Sequence, residues 1–259
     1  LFAAQDVEIP QTYAAFLEAC QSLTLDIDQN GDTDIYGLGF AGGAGGQNAY
    51  GSFLYARGGD YSDLSSPAAV SALRDMTTLY QTGCAPPDTP ANSEAQVLED
   101  FQNGLTAMMI QSSDAALAAV RRLGDDVAAF AFPAGAGQWM TLTDHGNTIL
   151  TADSGRQDAA FTWIAYLAAG SGQMDWCVRT GNLAVSRVAQ AQTAVGISAF
   201  RQLAQERAET ALPLPALTTT QAWSTAVWPV AAGAALRGEL TTGQAAAALQ
   251  KGLYGDGGS

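Results

Sequence analysis

Asp26-Ile27-Asp28-Gln29-Asn30-Gly31-Asp32-Thr33-Asp34-Ile35-Tyr36-Gly37 places acidic and amide oxygens at alternate positions, directly after a predicted helix and before a predicted strand. Aligned as a calcium loop, Asp26, Asp28 and Asn30 take the first, third and fifth ligand positions, Gly31 the turn, and Asp32 and Asp34 the seventh and ninth. The twelfth position is Gly37, where an EF-hand needs a bidentate Glu. Two readings stand: a structural calcium held by these residues, and a solvated helix-to-strand turn in which Asp and Asn bond their own backbone. The missing ligand favours the second.

Working outward, Thr12 can cap a helix whose residues Tyr13, Phe16, Leu17, Cys20 and Leu23 recur at helical spacing. Residues 35–40 read as a strand, and Gly42, Gly43, Gly45 and Gly46 lead to a helix over 47–56. Ser66-Pro67 opens a helix that Gly83 and Pro86-Pro87 stop, and Ser93 with Gln96 forms a capping box for another reaching Gly104. A buried strand at 105–110, a helix at 116–123, strands at 127–132 and 148–151, and a helix at 158–168 with Phe161, Ile164 and Leu167 inward follow. Beyond Ser186 the pattern is almost wholly helical, at 189–208, 219–236 and 242–253, with Gly255 to Ser259 as a frayed tail.

The composition bounds the function. At 259 residues, with 47% hydrophobic and 14% charged, the chain is globular and can form one large domain or two modest ones. Eleven basic against 25 acidic residues give a net charge of -14, which argues against nucleic acid or an anionic membrane as main partner and fits a neutral or cationic ligand better. The longest apolar stretches, 159–170 and 223–236, fall short of the ~18 residues of a membrane span. Cys20, Cys84 and Cys177 show no C-x-x-C spacing, so the plain reading is three free thiols, with one bridge left open. The chain opens at Leu1 without Met or a signal h-region, as expected of a cut edge.

Catalytic patterns are few. Gly37-x-Gly39-x-x-Gly42 matches the dinucleotide fingerprint in letters, but an acidic turn precedes it instead of a hydrophobic strand, so a Gly-rich loop is the better reading. His145 is the single histidine, which excludes multi-His metal sites, and no G-x-S-x-G elbow occurs for a triad to use. Nothing singles out a pair of carboxylates for glycoside hydrolysis.

Pro10, Thr12 and Tyr13, then Leu23-Thr24 and the acidic turn running into Asp34-x-Tyr36-Gly37, resemble the middle of bacterial family 1 extracellular solute-binding proteins, which serve ABC importers for sugars. Gly58-Gly59, Gly83-Cys84-Ala85-Pro86, Phe101-Gln102-Asn103-Gly104-Leu105-Thr106-Ala107-Met108, Phe132-Pro133-Ala134-Gly135 and Thr180-Gly181-Asn182-Leu183 continue the resemblance in the family's order. It implies an α/β type II periplasmic-binding-protein fold, two lobes around a cleft, the first lobe incomplete and the C-terminal part helix-rich. Residues 1–130 and 189–259 would form the second lobe, and 131–188 the returning part of the first. The same packing would make Cys20 and Cys84 the pair if a bridge forms.

A reversible sugar site needs aromatic faces for C–H surfaces and planar polar groups for hydroxyls. At the positions the resemblance points to stand Gln47, Asn48 and Tyr50 after the glycines, Ser112, Ser113 and Asp114 beyond the Met108 strand, Gly146 and Asn147 on the returning segment, and Trp223 near the start of a late helix. Trp223 has a competing reading as core, since it keeps helical spacing with Val227 and Trp228; Trp139 lies on a polar loop. The resemblance implies a non-enzymatic, monomeric, periplasmic or otherwise extracytoplasmic protein, lipid-tethered through an N-terminus outside these residues, with a small carbohydrate ligand and an ABC permease as partners. The competing classes are a glycan-active hydrolase with scattered carboxylates and a same-fold binder of a non-sugar solute.

Overall fold

The computed structural model describes residues 1–133, 141–142, 155–186, 188–189 and 212–255. Trp139, Asp144, His145, Gly146, Asn147, the strand expected at 148–151 and nearly all of the helix expected at 189–208 lie outside them. The elements in chain order are α1 (Tyr13–Ser22), β1 (Tyr36–Gly39), α2 (Gly46–Ala56), α3 (Pro67–Gln81), α4 (Glu94–Gln102), β2 (Thr106–Met109), α5 (Ser113–Leu123), β3 (Thr141–Leu142), α6 (Gln157–Ala168), α7 (Gly170–Thr180), β4 (Leu212–Pro213), α8 (Trp228–Leu236) and α9 (Thr242–Tyr254). They fall into two compact units, the first comprising Leu1–Gln111, Ala131–Leu142 and Thr210–Ser259, the second Ser112–Phe130 and Thr143–Glu209. The division runs differently from the expected lobes at Ser112–Phe130, at Ala131–Leu142 and at residues 189–209; Ser112–Phe130 groups with the second unit, where α5 packs on the end of α7 and a Cβ on Gly181 would stand 2.8 Å from the Asp114 Cα.

In the first unit β1 and β2 pair in parallel, Tyr36 opposite Thr106 and Leu38 opposite Met108. Thr12 caps α1 by accepting from the Ala15 amide at 3.2 Å, and Ser66 does the same for α3 through Ala69 at 3.2 Å. Ser93 accepts from the Gln96 amide, but the Gln96 side chain turns to Asp100 at 2.9 Å, so that capping box closes on one side only. The reciprocal box forms at Thr241 and Gln244, opening α9.

Thr24 links α1 to β1. Its hydroxyl donates to the Cys20 carbonyl at 2.9 Å and accepts from the Gly37 amide at 3.1 Å. Any Cβ on Gly37 would meet that carbonyl at 1.8 Å, so only glycine fits. On the same strand the Leu38 amide donates to Cys84 O at 3.0 Å, and Cys20 and Cys84 form a disulfide with Cα atoms 6.0 Å apart. This corrects the three-thiol reading: a pairing across 64 residues depends on the fold and leaves no spacing signal. Cys177 lies outside this disulfide and is buried.

Two aromatic clusters fill this unit. Phe16, Phe53 and Phe132 pack with centroids 4.9 to 6.5 Å apart, and Tyr50, Tyr61, Trp223 and Trp228 pack at 5.1 to 6.3 Å. Phe132 was expected in a strand; residues 127–133 join no ladder, and its ring plugs the first cluster instead. The helix expected at 219–236 contains a π-helical turn, Trp223–Val227, immediately before α8. Pro229 accounts for it, because proline has no amide to bond the carbonyl one turn back.

Among the described residues of the second unit, Cys177, Ala184 and Ala189 with Met174 form a buried cluster. α6 has no buried residue, and Phe161, expected inward, is 72% exposed. The sequence reading did not single out α7, whose glycines at 170 and 172 mask its periodicity. Among the described residues no helix is long and apolar enough to cross a membrane.

Candidate functional site

The glycine-rich loop is shaped by packing. The Gly42 and Gly43 amides donate to the Thr89 and Asn92 carbonyls, each at 3.0 Å. A Cβ on Gly42 would lie 2.5 Å from Thr89 O, and one on Gly43 2.6 Å from Ala91 O. These amides are therefore engaged inside the protein, and α2 begins at Gly46 instead of at the fingerprint's last glycine. A phosphate cradle needs those amides turned outward at a helix start, so the Gly37–Gly42 match carries no dinucleotide site.

Of the residues expected at the ligand, Gln47 is buried, its carbonyl accepting from the Tyr61 hydroxyl. Asn48 is half-buried and donates from Nδ2 to Glu94 Oε1 at 2.9 Å. Tyr50 is fully buried; its hydroxyl donates to Ala69 O at 3.1 Å, and burial pushes the phenol above its ordinary pKa. Trp223 is fully buried too, its indole N–H donating to Leu249 O at 2.9 Å. Tyr50 and Trp223 are thus core residues in this structure, each with the main-chain partner that a buried Tyr or Trp requires, and neither offers a face to a ligand. The sequence reading missed Glu94 and Gln111, whose Nε2 donates to the Glu94 carbonyl; their partners lie 46 and 17 residues away in sequence, so no local pattern joins them.

In the second unit Ser112 is the N-cap of α5, with Ser113 and Asp114 in its first turn. Asp114 is exposed, and an acid there is favoured by the positive end of the helix. Gly181, with φ +84°, ends α7 against this turn and brings Asn182 next to it in sequence.

The acidic turn is ordered by its own main chain. Asp26 accepts from the Asn30 and Gly31 amides at 3.2 and 2.8 Å, Asp34 from the Ile27 amide at 2.7 Å, and Asn30 from the Asp32 amide at 2.7 Å. Asp26, Asp28 and Asp34, all exposed, bring carboxylate oxygens within 4.8 Å of one another; Asp32 does not join that group. The donor set is oxygen only, which suits a hard cation such as calcium, and it stands in open solvent.

A family described as bacterial extracellular solute-binding protein matches residues 1–199. No curated protein matches significantly. Among solved structures, maltose-bound MalE3 of T. maritima is 21% identical, with a TM-score of 0.77 over 93% of this chain and 64% of that one. The GacH receptor of Streptomyces glaucescens, described unliganded and with acarbose, is 19% identical, with a TM-score of 0.75 over 97% and 66%. A solute-binding protein from Thermotoga lettingae bound with α-D-tagatose is 19% identical, with a TM-score of 0.72 over 96% and 66%. This chain therefore spans about two thirds of the length of these proteins, 64% of the first. At such identities the likeness shows the fold, the MalE-like type II periplasmic-binding architecture, and confirms the class the sequence implied. The family itself is shown by the match over residues 1–199: the chain belongs to the bacterial extracellular solute-binding proteins.

Proposed function

We propose that the chain is part of the substrate-binding component of an ABC importer that takes a small carbohydrate reversibly and without covalent chemistry. The observation that carries this reading is the family match, to which the named ligands of the structural neighbours (maltose, acarbose and tagatose) add the chemical class. The family places the protein outside the cytoplasm; a lipid tether, a monomeric state and a permease partner belong to the proposal. So do the polar positions Gln47, Asn48, Ser112, Ser113, Asp114, Gly146 and Asn147. Tyr50 and Trp223 leave it, because both are fully buried with their polar atoms bonded to the Ala69 and Leu249 carbonyls.

Calorimetric titration with maltose, D-tagatose and ribitol tests the class. Asn48→Ala and Asp114→Ala should each weaken the sugar that binds by about tenfold, the loss of a hydrogen bond with a charged or buried partner. Affinity unchanged in both would remove these positions from the site. Steady turnover of a chromogenic glycoside would replace the binding reading with a hydrolase.

Structural calcium at Asp26, Asp28 and Asp34 is a separate, auxiliary part of the proposal, motivated by the converging oxygens. A bound ion should raise the melting temperature in millimolar calcium relative to chelator. Equal melting temperatures would leave the turn to its own hydrogen bonds.

A further inference from the structure

α6 is apolar on every side and yet exposed. Between Ala159 and Ala168 it has one polar side chain, Thr162, whose hydroxyl is turned back to the Asp158 carbonyl at 2.7 Å. None of its residues is buried: Phe161 is 72%, Trp163 54% and Tyr166 47% exposed. The Trp163 and Tyr166 rings stack with centroids 6.0 Å apart and make one continuous aromatic face. α7 is packed on the end of this helix, where a Cβ on Gly172 would stand 2.1 Å from the Tyr166 carbonyl oxygen, and it adds Trp176, 50% exposed.

A helix that is apolar all round is ordinarily buried. In an α/β fold, what buries it is the face of a sheet. Among the described residues, however, the second unit holds only the helical elements around α5, α6 and α7, while β1, β2, β3 and β4 all belong to the first unit. The second unit is also about half as long as the first. The solved structures of this fold match 93 to 97% of the chain with only 64 to 66% of their own length, so about a third of each has no counterpart here. A unit without a sheet, an apolar helix without a cover and a fold short of a third of its length describe the same missing layer. A second copy of the chain would bring α6 against α6 and supply no sheet, and the net charge of -14 repels an anionic membrane.

We infer that the Trp163–Tyr166 face of α6 is the docking surface for a β-sheet layer carried by a further segment of the same polypeptide, outside residues 1–259. The facing side of that sheet presents aliphatic and aromatic side chains, the residues that fit a pleated, half-buried surface. The inference rests on the fold and the exposed face, and it is independent of which ligand the protein takes.

Hydroxyl-radical footprinting read by mass spectrometry tests it, on the 259-residue chain and on the polypeptide encoded by the whole reading frame that contains it. In the 259-residue chain Trp163 and Tyr166 should oxidise much faster than the buried Trp223 and Tyr50. In the longer polypeptide they should slow to the level of those two. Trp163→Asp should move the melting temperature of the 259-residue chain by no more than about 2 °C, as a surface change does, and lower that of the longer polypeptide by more than about 4 °C, as an unpaired buried charge does. Trp163→Phe should be tolerated in both. If the charged variant of the longer polypeptide does not fold, the footprint decides alone.

Slow oxidation of Trp163 and Tyr166 already in the 259-residue chain would overturn the inference, because the chain would then cover the face itself. Equally fast oxidation in both polypeptides would leave the face in water and overturn it too. Protection that appears only as the 259-residue chain is concentrated, together with a dimer in sedimentation, would make a second copy the cover. A reading frame that adds no sheet-forming segment would also refute the proposal. Each of these outcomes leaves the carbohydrate reading to its own calorimetric test.

Discussion

Among the described residues, the two compact units bury apolar surface to very different degrees. The first packs Trp223, Trp228, Tyr50, Tyr55, Phe16, Phe40 and Phe53 to essentially zero exposure and ties α1 to the turn after α3 with a disulfide. The second carries Phe161, Trp163, Tyr166 and Trp176 about half exposed or more, on helices that share a small cluster of Cys177, Ala184 and Ala189. An apolar helix with no buried face gains little from burial, so the same residue type should matter in one unit and hardly at all in the other. Trp223→Ala should cost about 3–5 kcal/mol, the usual range for an aromatic removed from a packed core. Trp163→Ala, on α6, should stay within about 0.5 kcal/mol, as for an ordinary surface change. Urea unfolding followed by circular dichroism decides between them. A large loss at Trp163 would break the contrast, because it would mean that this face is covered in solution.

The disulfide sharpens the same contrast from the side of the unfolded chain. Closing a loop across 64 residues should stabilise the first unit by about 4 kcal/mol on the loop-entropy estimate. The Cys20→Ala, Cys84→Ala double variant should therefore unfold at clearly lower urea, while a Cys177→Ala variant tests the buried cysteine of the second unit separately. An unchanged midpoint in the double variant would mean that the cystine adds nothing to the packing around β1. Smaller again is the cap of α9. Thr241→Ala removes the hydroxyl half of the reciprocal box, leaving the main-chain amide bonded to Gln244 Oε1, and should cost about 1 kcal/mol in the same assay.

What the sequence revealed divides along physical lines. Signals that act within one turn of helix were legible: Thr12, Ser66 and Ser93 each cap the helix predicted to follow, and β1 and β2 fall inside the predicted strands. Signals that depend on distant partners were not. Phe161 keeps helical spacing with Ile164 and Leu167, and periodicity alone cannot say whether anything lies opposite that face. Trp223 reads more readily as core than as a ligand platform, and the choice is made only when Leu249 O is seen to take its N–H. Glu94 stood out in no local pattern, because its side-chain partner Asn48 lies 46 residues away. The order of the family landmarks carried the fold because order survives at low identity, whereas single site residues do not.

The smallest expected effect lies within the packed unit, at Asp100, a buried carboxyl on α4. Burial raises its pKa above the ordinary value; the hydrogen bond from Gln96 opposes that shift, and the charges of Asp88 and Glu99 add to it. The folded protein thus holds this proton more tightly than the unfolded chain does. A group of this sign contributes its stability below the unfolded pKa and loses it as pH rises through the folded one. Asn at this position keeps an oxygen for the Gln96 amide without an ionisable proton, so Asp100→Asn should melt above the parent at about pH 7 and lose that advantage towards about pH 3, where the parent carboxyl is neutral. A gap that is constant across this range would assign the difference to packing. A gap that widens in acid would mean that the carboxylate form is the one the fold stabilises, through a partner stronger than Gln96.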